Sequence, residues 1–585
     1  MKKLIAICAL AALAPPRATA QTEPVFRTTS EVVLVPASVL DKHGRPVCGL
    51  KREDFELRVD GKPAAIVALD EISGQPAASN ARPIPTAPPP NTVTNVPPVE
   101  NSRRSWVILL VDLIDTTLPQ RMDLRNQLLK FLSKDLRPGQ QMAMYALSDS
   151  LVLLHPFSSD TQPLIEAASR LIQEKGTPAP PGNAGFLSAA PGAVAGVIAA
   201  GPGGFTSLAP SGGRPGTGAV GDIESFLLAA QWREEVFTTH TRAANTLLQF
   251  RQLANSFAGV AGKKTVLWLT GDASPLNPTL MNMMLLDNQP AEPLRVEWRE
   301  LAATYEALNG AGISVFPVDI RGIANAGLAN PGETPNHPDF MENLALSQPG
   351  ASGAYSSTTS RRQGEFANAA LAMETAAVET GGQVLKGSND LGELLGRAQD
   401  VWSSYYVVAF TPEPPPRGKS AAYRRIEVKA PGRAAQVLYR RGYISRPESL
   451  IASAGELRHD VADASTSPVD FTAVPLTLKL APEDNFLLTI PGGALQRADT
   501  QQGSRYDFSI FILLKDSKGK VVSTLGDKID RVFAPAQAAG IAKHGFLYPG
   551  KFDAPTAERC YGRIVVRDNL SGHLGTITVQ IAARK

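Results

Sequence analysis

Ser105-Trp106-Val107-Ile108-Leu109-Leu110-Val111-Asp112-Leu113-Ile114-Asp115-Thr116-Thr117-Leu118-Pro119-Gln120 is the stretch on which the fold turns. Trp106 to Val111 is apolar without alternation, as a strand covered on both faces of a parallel sheet reads. Asp112 ends the run. Thr117 and Gln120 have capping-box spacing, and Pro119 suits a first helical turn. The spacing predicts a helix to about Leu136. The same alternation continues downstream. Residues 141–147 and 151–157 read as strands, 160–173 as a helix, and 223–261 as a long helical region. Thr265–Thr270 is a buried strand, 293–310 a helix, and 313–318 a buried strand ending at Asp319. Helix, strand and helix follow to Val401. The expectation is an α/β domain over 103–403, a doubly wound parallel sheet with helices on both faces. Sites in such sheets lie beyond the carboxyl ends of the strands. Asp112, Asp272 and Asp319 all fall at or just after strand ends and are expected to share one edge.

Composition changes on either side. Residues 25–75 predict a small N-terminal β-domain, with Val33, Val35, Ala37 and Val39 on one face of a strand and Asp60-Gly61 at a hairpin. Residues 76–102 are proline-rich, including Pro88-Pro89-Pro90 and Pro97-Pro98, and predict an extended linker. Within the α/β region, 174–222 is a Gly/Pro/Ala-rich insertion with few large apolar side chains, and 323–364 is a second irregular insertion. Both are expected to be disordered. A β extension is expected over 404–446 and a C-terminal β-sandwich over 466–585, with a hairpin at Asp516-Ser517-Lys518-Gly519.

The first twenty residues read as a signal peptide: Lys2 and Lys3, an apolar run from Leu4 to Ala14, and Ala18-Thr19-Ala20 as a cleavage site. A lipid anchor at Cys8 is the rival, against which the bulky Ile7 argues. No later run is apolar enough to span a bilayer. The expected location is periplasmic or secreted. Cleavage would remove three of 58 basic residues, leaving them equal to the 55 acidic ones. A balanced charge disfavours nucleic acid as a partner. The chain has 585 residues, more than one core holds. Of its three cysteines, only Cys48 and Cys560 lie beyond the leader. They are candidates to pair in an oxidising compartment, although they fall in different expected domains.

Several stretches, in order, resemble the von Willebrand factor A (vWA)-related proteins abundant in acidobacteria. They are residues 39–47 and 49–55, Gly262 to Thr270, Gly312 to Asp319, Glu379-Thr380-Gly381-Gly382, Ser404 to Val408, and Arg440-Arg441-Gly442-Tyr443. The likeness covers residues 30 to 445. It implies a vWA fold and a binding module rather than an enzyme. Such folds often carry a metal-ion-dependent adhesion site, in which Asp-x-Ser-x-Ser follows the first strand and a Thr and an Asp come from other loops. Here Asp112 keeps the carboxylate and Thr116 the second hydroxyl, whereas Ile114 offers no oxygen. Sliding the frame to Asp115 and Thr117 loses the second hydroxyl at Pro119. Asp272 is the candidate distant Asp; Thr238, Thr239 and Thr241 are candidates for the distant Thr. The resemblance thus implies a degenerate site of Asp112, Thr116 and Asp272 that binds Mg2+ weakly, because Mg2+ demands near-octahedral oxygen coordination. The alternative is that Asp112 and Asp272 simply cap loops.

Catalytic motifs are absent from the sequence: no HExxH, GxSxG or phosphate-binding loop. Ser517 and Lys520 match SxxK only within a turn, and the seven histidines are scattered. Tyr405-Tyr406 reads as strand packing. Arg424, Arg425, Arg440 and Arg441 read as a solvated sheet face. The expected function is an exported, non-catalytic binding or assembly protein that contacts protein or cell-envelope partners through the sheet edge. The alternative is an exported hydrolase with a site assembled from distant residues.

Overall fold

The computed structural model describes residues 32–72, 91–95, 106–171, 241–322, 367–445 and 454–581. Breaks within these fall at 137–139, 274–275, 277–291, 414–421, 517–519 and 554–559, and at residues 261, 433 and 501. The leader and both insertions, 174–222 and 323–364, lie outside the described residues.

The central sheet is built from β1 (Trp106–Asp112), β2 (Met142–Leu147), β3 (Leu151–Ser158), β4 (Lys264–Thr270) and β5 (Ile313–Asp319), in the order β5-β4-β1-β2-β3. Val318 adds a parallel bridge to Leu385 on the far side of β5. Every residue of β1, β2, β4 and β5 is buried. The unbroken apolar run of β1 divides between two cores. Trp106, Ile108 and Leu110 face one, and Val107, Leu109 and Val111 face the other. The first core is closed by α3 (241–257), α4 (Glu292–Gly310) and α5 (367–380), through Leu247, Phe250, Leu301 and Met373. The second is closed by α1 (Leu118–Lys130), α2 (Thr161–Ser169) and α6 (Leu391–Ser403), through Leu128, Leu164 and Trp402.

The sheet corrects the expectation of an all-parallel arrangement in one place: β3 runs antiparallel to β2. Only Ser148, Asp149 and Ser150 separate the two strands, enough for a hairpin and far too little for a parallel crossover, which needs about a dozen residues.

The flanking strands pair across long sequence distances. Val33–Leu40 lies between Tyr405–Phe410 and Gln436–Tyr439, and Glu56–Val59 pairs with Ala422–Lys429. The stretches expected as separate units at 25–75 and 404–446 therefore share two sheets around one core of Val35, Phe55, Tyr406, Val408 and Ile426. Neither stretch alone carries a second apolar face against which to bury its own. Part of the expected linker is also sheet: Thr92–Thr94 pairs antiparallel with Thr477–Lys479. The C-terminal strands form two sheets packed on a common core, one through Asn485–Ile490, the other through Gly503–Lys515 and Cys560–Asp568. Cys48 is exposed, Cys560 is buried at the start of the latter strand, and neither is in a disulfide. The suggested disulfide is not formed.

Candidate functional site

Strand registry brings the carboxyl ends of the central strands level. Asp112 is opposite Leu147, and Asp319 is opposite Thr270. The loop that leaves β1 crosses this edge before α1 begins. Thr117 caps α1 as its spacing predicts: its backbone N–H and its hydroxyl both donate to Gln120 Oε1, at 2.9 Å each. The loop is held from beneath by Arg121. Its buried guanidinium donates to the carbonyls of Leu113 at 2.6 Å and Thr116 at 3.0 Å. Opposite, Gly271 comes so close that an added Cβ would lie 2.7 Å from Gln120 Oε1 and 3.0 Å from the Asp115 carbonyl oxygen.

Asp112 is fully buried. Its Oδ1 accepts from the backbone N–H of Ile114 and Asp115 at 3.0 and 2.9 Å, and its Oδ2 accepts from Trp268 Nε1 at 3.0 Å. Burial raises its pKa, and those donors act against the rise. The Thr116 hydroxyl is also buried and accepts from Gly271 N–H at 3.3 Å. Asp272 follows β4, with its backbone N–H on the Thr270 hydroxyl and its carbonyl accepting from that hydroxyl.

The two residues that dominate the edge are ones the sequence did not single out as partners, Asp115 and Arg242. The Asp115 side chain is 2% exposed and ion-paired through Oδ1 with Arg242 Nη2; Arg242 Nε donates to the same oxygen at 2.7 Å. The same Nη2 lies 3.9 Å from Asp272 Oδ2. Arg242, on α3, thus bridges the loop after β1 and the loop after β4. Burial and the neighbouring Asp112 push the Asp115 carboxyl well up, while Arg242 pulls it back. Burial works against charge on Arg242, but Asp115 and Asp272 outweigh it and the guanidinium is held charged.

This donor set does not fit a divalent cation. Asp112, expected to be the leading ligand, has both oxygens engaged by N–H donors, and the Thr116 hydroxyl is engaged by Gly271. Asp115 and Asp272 already face a guanidinium, and Ile114 supplies no oxygen. Among the described residues no group of three or more His, Cys, Asp or Glu side chains is placed to hold a metal ion. Of the expected distant threonines, Thr238 and Thr239 lie outside the described residues and Thr241 adjoins Arg242. Asp112 accepts from the backbone N–H groups of its own loop, the capping arrangement that the sequence also allowed.

Asp319 reaches the same edge but is paired locally, taking Arg321 Nε and Nη2 at 2.9 and 2.8 Å. Beside it a cavity of about 140 Å3 is lined by Asp123, Gln127, Arg321, Ser388 and Asn389. Ser148, after β2, is fixed by Gln249 and Asn245 of α3 through its carbonyl at 2.6 and 3.1 Å.

The opposite end of the sheet holds buried cations. Lys263 Nζ donates to Ser38 Oγ at 2.8 Å and lies over the Tyr405 ring; Lys264 Nζ donates to the Ala311 carbonyl at 2.6 Å. Burial lowers both ammonium groups to about 7. Arg440, expected on a solvated face, is half-buried and donates to the carbonyls of Asn309 in the α/β domain and Leu34 in the β-unit. Arg424 remains near the surface, paired with Asp60 at 2.7 Å. Tyr406 packs edge-on to Phe55 and donates to the Val47 carbonyl, as strand packing predicts.

No protein-family model matches the chain. No curated protein matches it either. Similar solved structures include a von Willebrand factor type A protein from Catenulispora acidiphila, 7% identical, covering 82% of this chain and 67% of that one with a TM-score of 0.22. Another is an aerotolerance-related membrane protein from Bacteroides fragilis, 10% identical, covering 51% of this chain and 98% of that one with a TM-score of 0.23. Among the described residues no helix is long and apolar enough to cross a membrane.

Proposed function

We propose that this chain is an exported vWA-type binding or assembly protein that engages a protein or cell-envelope partner through the carboxyl edge of its central sheet. Arg242, not a metal ion, is the cation of that edge. The observation that carries the proposal is the Asp115–Arg242–Asp272 bridge, placed where the strand order puts ligand sites and where the vWA resemblance implies a metal. A fixed guanidinium balances the buried carboxylate without a coordination shell to fill. Asp272, about a third exposed, is the end of that bridge that a partner can reach.

A hydrolytic role needs a nucleophile next to a base that an orienting group holds in place. At this edge the hydroxyls of Thr116 and Thr117 are committed to Gly271 and Gln120, and the carboxylates to backbone N–H groups and arginine. That arrangement favours contact over catalysis.

The test is capture from cell-envelope extract on the immobilised mature protein, with magnesium and with a chelator, beside Asp272→Asn and Arg242→Ala. Capture indifferent to the chelator and reduced by both substitutions is expected. Loss of capture on chelation would overturn the role of Arg242, and full capture by both variants would overturn the sheet edge.

A further inference from the structure

In the C-terminal sandwich, Val521–Phe533 is a thirteen-residue strand hydrogen-bonded to Gly503–Lys515 on one side. Among the described residues no strand pairs with its other side. It is exposed along most of its length, with Val521, Val522, Leu525 and Val532 between 42% and 54% accessible. A long open edge of this kind presents unpaired N–H and C=O groups to any extended chain, and proteins commonly guard such edges with charge. The charges here are Asp527, Lys528, Asp530 and Arg531, flanking Ile529.

We propose that this edge pairs with the same edge of a second copy, antiparallel about Ile529. The choice of partner comes from the order of the charges. In an antiparallel pair, residues directly opposite one another point to the same face. A two-fold axis normal to the sheet therefore passes through a residue, and that residue faces itself. An axis at Asp527, Lys528 or Asp530 sets a charge against its own copy. An axis at Ile529 sets Asp527 against Arg531 and Lys528 against Asp530, each twice by symmetry. The same register sets Leu525 against Phe533, covering an apolar side chain that is 54% exposed in the single chain. It spans 525–533, stopping where the helix Pro535–His544 ends the strand.

Within one chain these charges are only partly matched. Asp530 is held by Arg505 at 2.7 and 2.9 Å, and Lys528 lies 3.6 Å from Asp507. Asp527 meets the Tyr548 hydroxyl, whose proton it helps to retain. An unrelated strand would meet alternating charges that it does not complement. A second copy meets them all in opposite sign, an isologous contact of the commonest symmetry.

Sedimentation velocity over a concentration series tests this with the mature full-length chain. The wild type should pass from monomer to dimer. Asp527→Arg alone and Arg531→Asp alone each turn two attractive cross-strand pairs repulsive, and each should weaken the dimer about tenfold or more. Mixing the two single variants should restore dimer. One chain then carries arginine at both positions and the other aspartate at both, so every cross-strand pair at 527 and 531 is again of opposite sign. The double variant, Asp527→Arg with Arg531→Asp, should dimerise like wild type. Circular dichroism and melting curves confirm that each variant folds. A wild type that stays monomeric at its highest soluble concentration would overturn the proposal. So would single variants that dimerise as well as wild type, or a mixture that does not recover.

Discussion

Replacing Arg242 with alanine removes the cation from between Asp115 and Asp272. The Asp115 side chain is 2% exposed, so water does not replace the guanidinium. Breaking a buried ion pair by deleting one partner costs about 3–5 kcal/mol, because a buried charge is left uncompensated. Proton uptake by Asp115 limits that loss. Burial and Asp112 already push this carboxyl up, and losing Arg242 pushes it further. A group whose folded pKa lies above its unfolded value binds more protons in the folded state, so stability falls as pH rises through that window. The deficit of Arg242→Ala against wild type should therefore be largest near neutral pH and shrink towards the ordinary carboxylate range. At about 2–4 °C per kcal/mol for a domain of this size, the melting temperature should drop by roughly 10 °C near pH 7. Adding Asp115→Asn should recover much of the loss, since a neutral amide needs no cation. Magnesium should raise the melting temperature of Arg242→Ala, whose facing carboxylates then lack a counter-ion, and leave wild type unmoved. Melting curves followed by circular dichroism, across pH and with magnesium, read all of this. A drop below about 1 kcal/mol, no rescue by Asp115→Asn, or an equal magnesium response in wild type would refute the assignment of Arg242 as the resident cation.

Lys263→Met should stabilise the protein most near pH 6 and least near pH 10. With its ammonium lowered to about 7, the folded state binds fewer protons than the unfolded chain from there up to the ordinary lysine range. Wild-type stability should thus rise with pH across that window, by up to about 1.4 kcal/mol per unit from this group, and a pH series of chemical denaturation should show a shallower slope in the variant. Gly382→Ala should destabilise by about 2 kcal/mol or more in the same assay, because its Cβ would fall 1.8 Å from the Val315 carbonyl oxygen in the core. In native protein an alkylating reagent should label Cys48 alone, with Cys560 reacting only after denaturation; mass spectrometry reads the sites. N-terminal sequencing of exported protein should begin at Gln21.

The sequence by itself determined the strands and helices of the α/β core. A two-sided apolar run such as Val107 to Val111 has no stable place except between two packed layers, and Thr117-x-x-Gln120 states locally where the next helix starts. It also placed Asp112 at the strand end, because a carboxylate closing an apolar strand is visible without a partner. The Gly381-Gly382 pair, noticed only as a resemblance, has its reason in packing. Gly381 sits at φ +74°, and Gly382 lies against Val315. What tertiary structure alone decided is pairing across distance. Arg242 lies 127 residues from Asp115, beyond an insertion, and nothing in its local sequence marks it as an edge cation. Val33–Leu40 and Tyr405–Phe410 each read as a strand, but a period of two says which face is apolar and not which strand lies alongside. Arg440 looked solvated because a charged residue ending a strand usually is, and only the return of the chain brings the carbonyls of Asn309 and Leu34 to its guanidinium. Local patterns are written in neighbouring residues. Ion pairs, sheet neighbours and domain contacts depend on where the whole chain returns to meet itself.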